Sequence, residues 1–451
     1  MLDWAYLAAY NFDLSMTTAK RGLILGATAV AVATVIVTGA GIHLSQSKAF
    51  FQASPKELID EVWQLINRNY VDATFNQVDW VTVRSDYLGR NYSSQEDAYT
   101  AIREMLGKLE DPYTRFMDPQ EFANMQVDTS GELTGVGIQI SQDEKSKEII
   151  VVAPIEDTPA FEAGIRPKDV ILKIDGESTT GMELSDAVDK IRGEVGSQVT
   201  LLIRRGDQQL EVPITRARIE IHPVRYSRKP GPTGPVGYIR LTQFSANAAD
   251  EMGEAIRALE DEQVTGYILD LRSNPGGLLY ASIDIARMWL DGGTIVSTVN
   301  RQGVVDEESA NHGALTNKPL VILVDGGSAS ASEILSGALQ DNDRAVLVGT
   351  RTFGKGLVQS VRSLADGSGV AVTVAKYLTP SGRDINKHGI DPDIQVELTE
   401  DQREFLASDR DRIGTNEDPQ YAQALTTLTG EIEKARAGHS LTSTGASDRK
   451  P

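Results

Sequence analysis

The sequence predicts an α/β protein. Its main domain has a largely parallel sheet and a smaller inserted domain, and it is preceded by an apolar segment and a helical N-terminal region. Three observations support this fold class. Apolar strand patterns alternate with amphipathic helix patterns over residues 218–400, which is typical of parallel sheets covered by helices. Residues 129–217 instead combine short strand patterns with glycine-centred turns. Residues 22–42 carry no charged side chain.

The composition excludes several classes of function. The chain has 451 residues, a formal charge of −20 and no cysteine. An acidic chain offers no positive field to hold the phosphates of a nucleic acid. Without cysteine, a disulfide framework, a thiol nucleophile and a zinc–thiolate site are impossible. The five histidines include no pair at i, i+4 spacing, so we predict neither a metal site nor a cofactor.

The N-terminal residues 1–48 are predicted to be an extension followed by a targeting segment. The uncharged run 22–42 follows Lys20 and Arg21 and is long enough to cross a bilayer, which takes about 20 residues. It is either a retained anchor or a secretory signal that is cleaved near the "SKA" of residues 47–49. The basic pair directs the remainder outward, so we expect an extracytoplasmic protein, secreted or membrane-anchored. Met16 is an alternative start.

Residues 50–125 are predicted to be helical. The stretch "SPKELIDEVWQLINRNY" opens with Ser54, Pro55 and Glu57, a capping box with proline at the first helical position. A second helical pattern, "SQEDAYTAIREMLGKL", leads into "EDPYTRFMDPQEF". The expected role of this region is packing or dimer contacts, so a homo-oligomer is possible.

Residues 129–217 resemble a PDZ domain. The resemblance is carried by "GVG" at Gly135, Val136 and Gly137, and by "AGIRPKDVILKIDG" further on. Successive N–H groups in a glycine-rich turn can hold a carboxylate, and the strand edge that follows can accept an extended peptide. Arg192, in "KIRG", could sense the bound peptide or couple the domain to its neighbour. Its simpler interpretation is a solvated cation at a helix end.

Two loops of residues 218–400, "SNPGG" and "GGSASAS", follow apolar strands, where sites of α/β folds lie. Ser330 forms an S-x-x-E capping box with Glu333, and a capping serine needs no chemistry. However, a hydroxyl at a helix start also lies beside N–H groups that could hold an oxyanion. A nucleophilic serine requires a base, and no histidine stands in an obvious motif. A lysine is the next candidate.

Lys355, in "GTRTFGKGLVQSV", is that lysine. The segment meets most of a phosphate-binding P-loop pattern, but Gly356 replaces the Ser or Thr that would bind Mg²⁺, and a hairpin-like pattern follows instead of a helix. A nucleotide-binding role is therefore rejected. As a base Lys355 must be uncharged, and burial lowers the pKa of a lysine. Gln359 projects to the same side and can hydrogen-bond the amine without adding charge.

Together these segments resemble the carboxyl-terminal processing peptidases, or tail-specific proteases. The resemblance implies a core like that of crotonases and Clp proteases, and a serine endopeptidase that removes C-terminal segments of proteins. It assigns Ser330 as nucleophile, Lys355 as general base, Gln359 as the residue that orients it, and the N–H groups of Gly276 and Ala331 as the oxyanion hole. It implies protein or peptide substrates with free C-terminal tails, in a periplasm or a thylakoid lumen. The alternative is a non-catalytic PDZ scaffold that docks such tails.

Residues 401–451 are predicted to contain one amphipathic helix, "YAQALTTLTGEIEKARAG", and a disordered polar tail.

Overall fold

The computed structural model describes residues 54–143, 146–155, 157–303 and 305–444. The apolar run 22–42 and the possible cleavage site lie outside the described residues. Within the described part of the chain, no helix combines the length and the apolar character that crossing a bilayer requires.

The N-terminal region is mainly helical, as predicted, and adds one short strand. Its elements are α1 (Pro55–Asn69), α2 (Trp80–Gly89), α3 (Gln95–Gly107), β1 (Arg115–Met117) and α4 (Pro119–Ser130). The predicted capping box of Ser54 and Glu57 begins α1. The apolar faces of the first three helices share one core with Leu364, Val370 and Val372. This region therefore packs on strands that occur far later in the chain.

A small strand-rich unit follows. Its elements are β2 (Glu132–Gly135), β3 (Ile138–Gln142), β4 (Ile149–Pro154), α5 (Pro159–Glu162), β5 (Val170–Ile174), β6 (Glu177–Ser178), α6 (Leu184–Ile191), β7 (Gln198–Arg205), β8 (Gln208–Thr215) and β9 (Ala217–Glu220). Its sheet has the order β3-β4-β5-β7-β8, with β6 paired to β5. Where the chain enters and leaves the unit, β2 and β9 pair antiparallel. β3 is an edge strand of the described sheet, so one side of it is free to pair with another strand.

The main sheet has the predicted, largely parallel arrangement. Its strands and helices are β10 (Val224–Lys229), β11 (Val236–Leu241), α7 (Ala248–Asp261), β12 (Tyr267–Asp270), α8 (Leu279–Trp289), β15 (Leu320–Val324), α9 (Ala331–Asp341), β16 (Val346–Gly349) and β19 (Ile394–Gln395). The order is β10-β11-β12-β15-β16-β19. All neighbours pair in parallel except β10, which is antiparallel to β11.

A second sheet is antiparallel. Its strands precede those of the main sheet in the sequence or lie between them. It contains β13 (Thr294–Asn300), β14 (Val305–Ser309), β17 (Leu357–Ser363), β18 (Gly369–Leu378) and the N-terminal strand β1. β17 and β18 form the hairpin that the sequence predicts after Lys355. A strand rather than a helix follows this lysine, as expected for a segment that is not a P-loop.

The C-terminal region contains more structure than predicted. Besides the expected helix, α11 (Pro419–Thr444), the structure has α10 (Glu400–Ser408) and a 3₁₀ turn at Arg410–Arg412. Tyr421, Ala424, Leu428 and Ile432 of α11 are buried against one face of the parallel sheet, and α7, α8 and α9 cover the other face. α11 is therefore part of the core. The disordered tail is predicted to begin at His439, which is wrong for residues 439–444, because α11 continues through them to Thr444. Residues 445–451 lie outside the described residues.

A buried ion cluster fastens α11 to the parallel sheet. Arg272, just after β12, donates to Asp270 Oδ2 at 2.6 Å and to Asp418 Oδ2 at 2.7 Å, and both carboxylates are inaccessible to solvent. Burial alone would raise the pKa of Asp270, but the Arg272 guanidinium overrides it and holds this pKa below its usual range. The cluster immediately precedes the "SNPGG" loop, so it also anchors one end of that loop.

We expect Arg272→Leu to lower the free energy of unfolding by about 3–5 kcal/mol, because it leaves two buried carboxylates without their cation. Urea unfolding followed by circular dichroism measures the effect. The matched control is Arg351→Leu, which removes an exposed ion pair with Asp391 and should cost less than about 1 kcal/mol. Equal, small effects of both substitutions would contradict the role of the cluster.

Candidate active site

Ser330 stands at the junction between β15 and α9 in a rare backbone conformation. Its φ of 55° and ψ of −112° lie in a region that non-glycine residues seldom occupy. Its N–H donates to Glu333 Oε2 at 2.9 Å, and its carbonyl accepts the N–H of Glu333 at 2.8 Å and the Tyr377 hydroxyl at 3.2 Å. These three bonds engage main-chain atoms of Ser330, and Ser330 and Glu333 form the predicted capping box at the start of α9.

The other two serines of the "SASAS" run bind the neighbouring loop. Ser328 Oγ donates to the carbonyl of Leu271 at 2.8 Å, and Ser332 Oγ donates to the carbonyl of Asn274 at 2.9 Å. Both side chains are fully buried, whereas Ser330 is half-buried. The three serines are thus distinguished by their environment, and only Ser330 keeps access to solvent.

Gly276 of the "SNPGG" loop lies directly against Ser330. Its φ is 101°, and a Cβ added there would lie 2.9 Å from Ser330 Cβ and from Ala331 N, and 2.6 Å from the Ala329 carbonyl oxygen. Only glycine fits this approach. The two loops that the sequence predicts to form a site therefore meet beyond the carboxyl ends of β12 and β15.

The two N–H groups predicted to form an oxyanion hole differ in their hydrogen bonding. The Ala331 N–H is at the first position of α9, where helix N–H groups have no acceptor within the helix. The Gly276 N–H donates to Asn274 Oδ1 at 2.9 Å. Gly276 can serve a substrate oxygen only if this N–H is shared with, or released from, Asn274.

Glu333 joins the serine loop to the lysine loop. Its carboxylate is inaccessible to solvent and accepts four hydrogen bonds, of 2.5–2.9 Å, from the N–H groups of Ser330, Gly354 and Lys355 and from the Thr352 hydroxyl. The N–H groups of Ser330 and Lys355 bind the same oxygen at 2.9 Å each, so their nitrogens can be no farther apart than twice that length. The sequence indicated only a capping role for Glu333, because an S-x-x-E pattern does not reveal contacts with a distant loop.

Lys355 is half-buried and has the electrostatic environment that the sequence analysis expected. Burial lowers the pKa of its amine, and the charge of Arg115 lowers it further, while Asp111 and Glu333 oppose the change. The Lys355 Nζ lies 5.0 Å from the centre of the Tyr113 ring.

Gln359 and Lys355 line the same cavity of about 180 Å³, as their spacing predicts. Apolar side chains, including Met117, Met125 and Val361, form much of the remaining wall. The Gln359 Nε2 is buried and has no hydrogen-bond partner among the described residues, so the predicted bond to the lysine amine is not formed here. This amide is a free donor on the wall of the cavity.

Tyr113 and Arg115 are residues of the site that were not predicted from the sequence. They belong to "EDPYTRFM", in a region for which packing or dimer contacts were predicted. An aromatic and a cation in a turn give no signal of their own, because their partner Lys355 is reached only through the fold.

In the strand-rich unit, the predicted peptide-binding turn lies where β2 gives way to the edge strand β3. Gly135 is the last residue of β2, and Val136 is buried. Gly137 has a φ of 82°, and a Cβ there would lie 2.3 Å from Thr158 Oγ1. The turn is thus tightly constrained next to a free strand edge.

Arg192 contacts the N-terminal region. It follows α6 and donates to Asn124 Oδ1 on α4, and nearby Gln120 Nε2 donates to Asp189 Oδ1 at 2.9 Å. Of the alternatives considered from the sequence, this contact fits the one in which Arg192 couples its unit to a neighbour.

We expect Glu333→Gln to lower the free energy of unfolding by about 2–3 kcal/mol, because an amide turns one acceptor into a donor that faces buried N–H groups. Urea unfolding measures it. Glu57→Gln, in the exposed capping box of α1, is the matched control and should cost under about 1 kcal/mol. Indistinguishable midpoints would show that the carboxylate does not fasten the two loops.

Comparison with known proteins identifies the family. Residues 235–396 match peptidase family S41, and residues 150–205 match the PDZ domain. The chain is 46% identical over 417 residues to the carboxyl-terminal-processing protease of Synechocystis sp., covering 91% of this chain and 96% of that protein. It is 40% identical over 360 residues to the chloroplastic C-terminal processing peptidase of Tetradesmus obliquus, covering 76% and 78%.

A solved structure shares this fold. The photosystem II D1 C-terminal processing protease superposes with a TM-score of 0.54 at 39% identity, covering 82% of this chain and 99% of that one. The chain therefore belongs to peptidase family S41 and is a carboxyl-terminal processing serine peptidase with a PDZ domain.

Proposed function

We propose that Ser330 is the nucleophile of this peptidase and Lys355 its general base. The observation that carries the proposal is the Glu333 carboxylate, one oxygen of which binds the N–H groups of both residues. Burial supports the role of Lys355, because a lowered pKa makes the uncharged amine available nearer neutral pH.

In the proposed reaction, the Lys355 amine takes the proton of Ser330 Oγ as this oxygen attacks the scissile carbonyl carbon. The carbonyl electron pair moves to oxygen, which the Ala331 N–H and, after leaving Asn274, the Gly276 N–H would stabilise. The tetrahedral intermediate collapses, and the Lys355 ammonium gives its proton to the leaving amine. The uncharged lysine then takes a proton from water as this water attacks the acyl-enzyme. When the second tetrahedral intermediate collapses, the Lys355 ammonium gives that proton to Ser330 Oγ, which releases the new C-terminus and restores both residues.

Gln359 has a supporting role in this proposal. Its buried Nε2 has no partner among the described residues, although a buried donor is normally paired. The lone pair of the uncharged Lys355 amine is an acceptor on the same cavity wall. A hydrogen bond between them would orient the amine without favouring its protonated form.

We further propose that the PDZ domain holds the substrate tail. The terminal carboxylate would bind the N–H groups of the Gly135–Val136–Gly137 turn, and the tail would pair with β3 as an added strand. The Arg192 contact with Asn124 gives a route by which an occupied domain could affect α4, of which Met125 lines the cavity beside Lys355.

The expected location of the protein is extracytoplasmic, with residues 22–42 as its export signal or membrane anchor. The cyanobacterial and chloroplastic relatives support a periplasm or a thylakoid lumen. A photosystem II subunit is one candidate substrate, because a similar protein is described as a D1 processing protease; general processing of protein tails is the alternative. The parallel sheet covered on both faces also supports a core related to that of crotonases and Clp proteases.

We expect Ser330→Ala and Lys355→Ala each to reduce kcat for cleavage of a tailed protein by about 10⁴-fold or more, because each removes a group that acts in the bond-breaking step. In the parent enzyme, kcat/KM should rise with pH as Lys355 loses its proton, with a midpoint below the ordinary lysine pKa of about 10.4.

The matched controls for these variants are Ser227→Ala and Lys56→Ala, at exposed positions on β10 and α1. Both should cleave at the parent rate. Substantial activity in Ser330→Ala or Lys355→Ala, or a rate independent of pH, would overturn the dyad.

The PDZ proposal predicts that a substrate with a C-terminal carboxamide is cleaved with a kcat/KM at least about 10-fold lower than the same substrate with a free carboxylate, because the turn loses a charged acceptor. Gly137→Val should abolish this difference, since its Cβ would meet Thr158. Equal cleavage of the two substrates by the parent would refute binding of the carboxylate.

A further inference from the structure

The Asp111–Arg115 turn, which follows α3 and ends at the first residue of β1, is fastened to the hairpin that carries Gln359. Asp111 Oδ2 accepts the hydroxyls of Thr114 and Thr373, each at 2.7 Å. Thr114 Oγ1 in turn accepts the N–H of Thr373 at 3.0 Å, and Tyr113 N–H donates to Asp111 Oδ1 at 3.0 Å. Thr373 is inaccessible to solvent. The turn is therefore held by a hydrogen-bond network that is buried at Thr114 and Thr373.

Thr373 is the residue of the hairpin to which the turn is attached. It pairs with Gln359 across the β17–β18 hairpin, beside the irregularity between Val358 and Gln359. Its carbonyl also accepts the N–H of Val71, which follows α1, at 2.8 Å. The N-terminal region thus binds the hairpin at the residue opposite Gln359.

This attachment brings two side chains of the turn to Lys355. The Tyr113 ring centre is 5.0 Å from the Lys355 Nζ, within the roughly 6 Å over which a cation interacts with a ring face. Tyr113 and Arg115 both line the cavity that contains Lys355 and Gln359.

The two side chains have opposite effects on the charged form of the amine. A ring face attracts an ammonium ion, whereas the guanidinium of Arg115 repels it. Asp111 and Glu333 are the acidic groups that favour the charged form. A base that gains and loses a proton twice in each cycle needs both forms to be accessible, and the turn contributes to each.

We propose that Tyr113 and Arg115 are positioning residues of the peptidase: they act on the reaction through the Lys355 amine, which the Asp111–Arg115 turn holds in place from the N-terminal region. The proposal rests on Lys355 as the base. It gives the N-terminal region a part in the reaction beyond packing.

The test compares pH profiles of kcat/KM for cleavage of a tailed peptide by the full-length chain. Tyr113→Leu keeps an apolar cover over the amine but removes the ring face, so the uncharged form persists to lower pH. Its acid limb should move down by about half a unit to one unit, and kcat should fall about 10-fold because the amine is less well held. Arg115→Gln removes the repelling charge, so its acid limb should move up by a similar amount.

Conservative variants and a control complete the design. Tyr113→Phe and Arg115→Lys keep the ring and the charge and should return the midpoint to that of the parent. Tyr226→Leu, at an exposed tyrosine on β10, should change neither kcat nor the midpoint. Opposite shifts from two residues of one turn would not follow from a general loss of folding, and the melting temperature of each variant checks this directly.

Parent midpoints in both Tyr113→Leu and Arg115→Gln, or shifts in the same direction, would overturn the proposal. Lys355→Ala in the same assay separates this failure from failure of the dyad. If Lys355→Ala is inactive while both turn variants keep the parent midpoint, only the role of the turn is wrong. If Lys355→Ala remains active, the proposed base itself is wrong.

Discussion

The site depends on the burial of one negative charge. A carboxylate without access to water is tolerated only when its oxygens are fully hydrogen-bonded. Glu333 obtains its donors from the main chain of Ser330, Gly354 and Lys355 and from one hydroxyl. Neither loop alone supplies them all, so the loop that carries the serine and the loop that carries the lysine stabilise each other. Because a buried carboxylate that lacks donors is costly, the folded state requires the two loops to lie together.

Three parts of the fold converge on the loops that carry Ser330 and Lys355. The parallel sheet ends at the serine loop, the antiparallel hairpin follows the lysine loop, and the N-terminal region delivers Tyr113. The strained φ of Ser330 persists because its N–H, its carbonyl and the approach of Gly276 all constrain it. On the opposite face of the sheet, α11 and the ion cluster of Arg272 hold the strand that leads into the Gly276 loop. The contacts that pack these elements together therefore also hold the loops of the site in place.

Local patterns made much of this predictable. Alternating strand and helix periods gave the parallel sheet, the Ser54 box gave the start of α1, and the alternation after Lys355 gave the hairpin. Apart from the meeting of the "SNPGG" and "GGSASAS" loops, contacts between distant segments were not predictable. The amphipathic pattern of α11 shows that one face is buried but not which sheet buries it. The hydrogen bond from the Lys355 N–H to Glu333 and the approach of Tyr113 to Lys355 both depend on folding that brings remote residues together. The bond of the Gly276 N–H to Asn274 is local, but it depends on the conformation of the "SNPGG" loop.

The shared core of the N-terminal helices with Leu364, Val370 and Val372 has a consequence for biogenesis. A growing polypeptide exposes these helices first, yet it cannot finish their core until the hairpin has left the ribosome, and α11 comes later still. Nascent chains consequently lack a complete active site until synthesis is almost over.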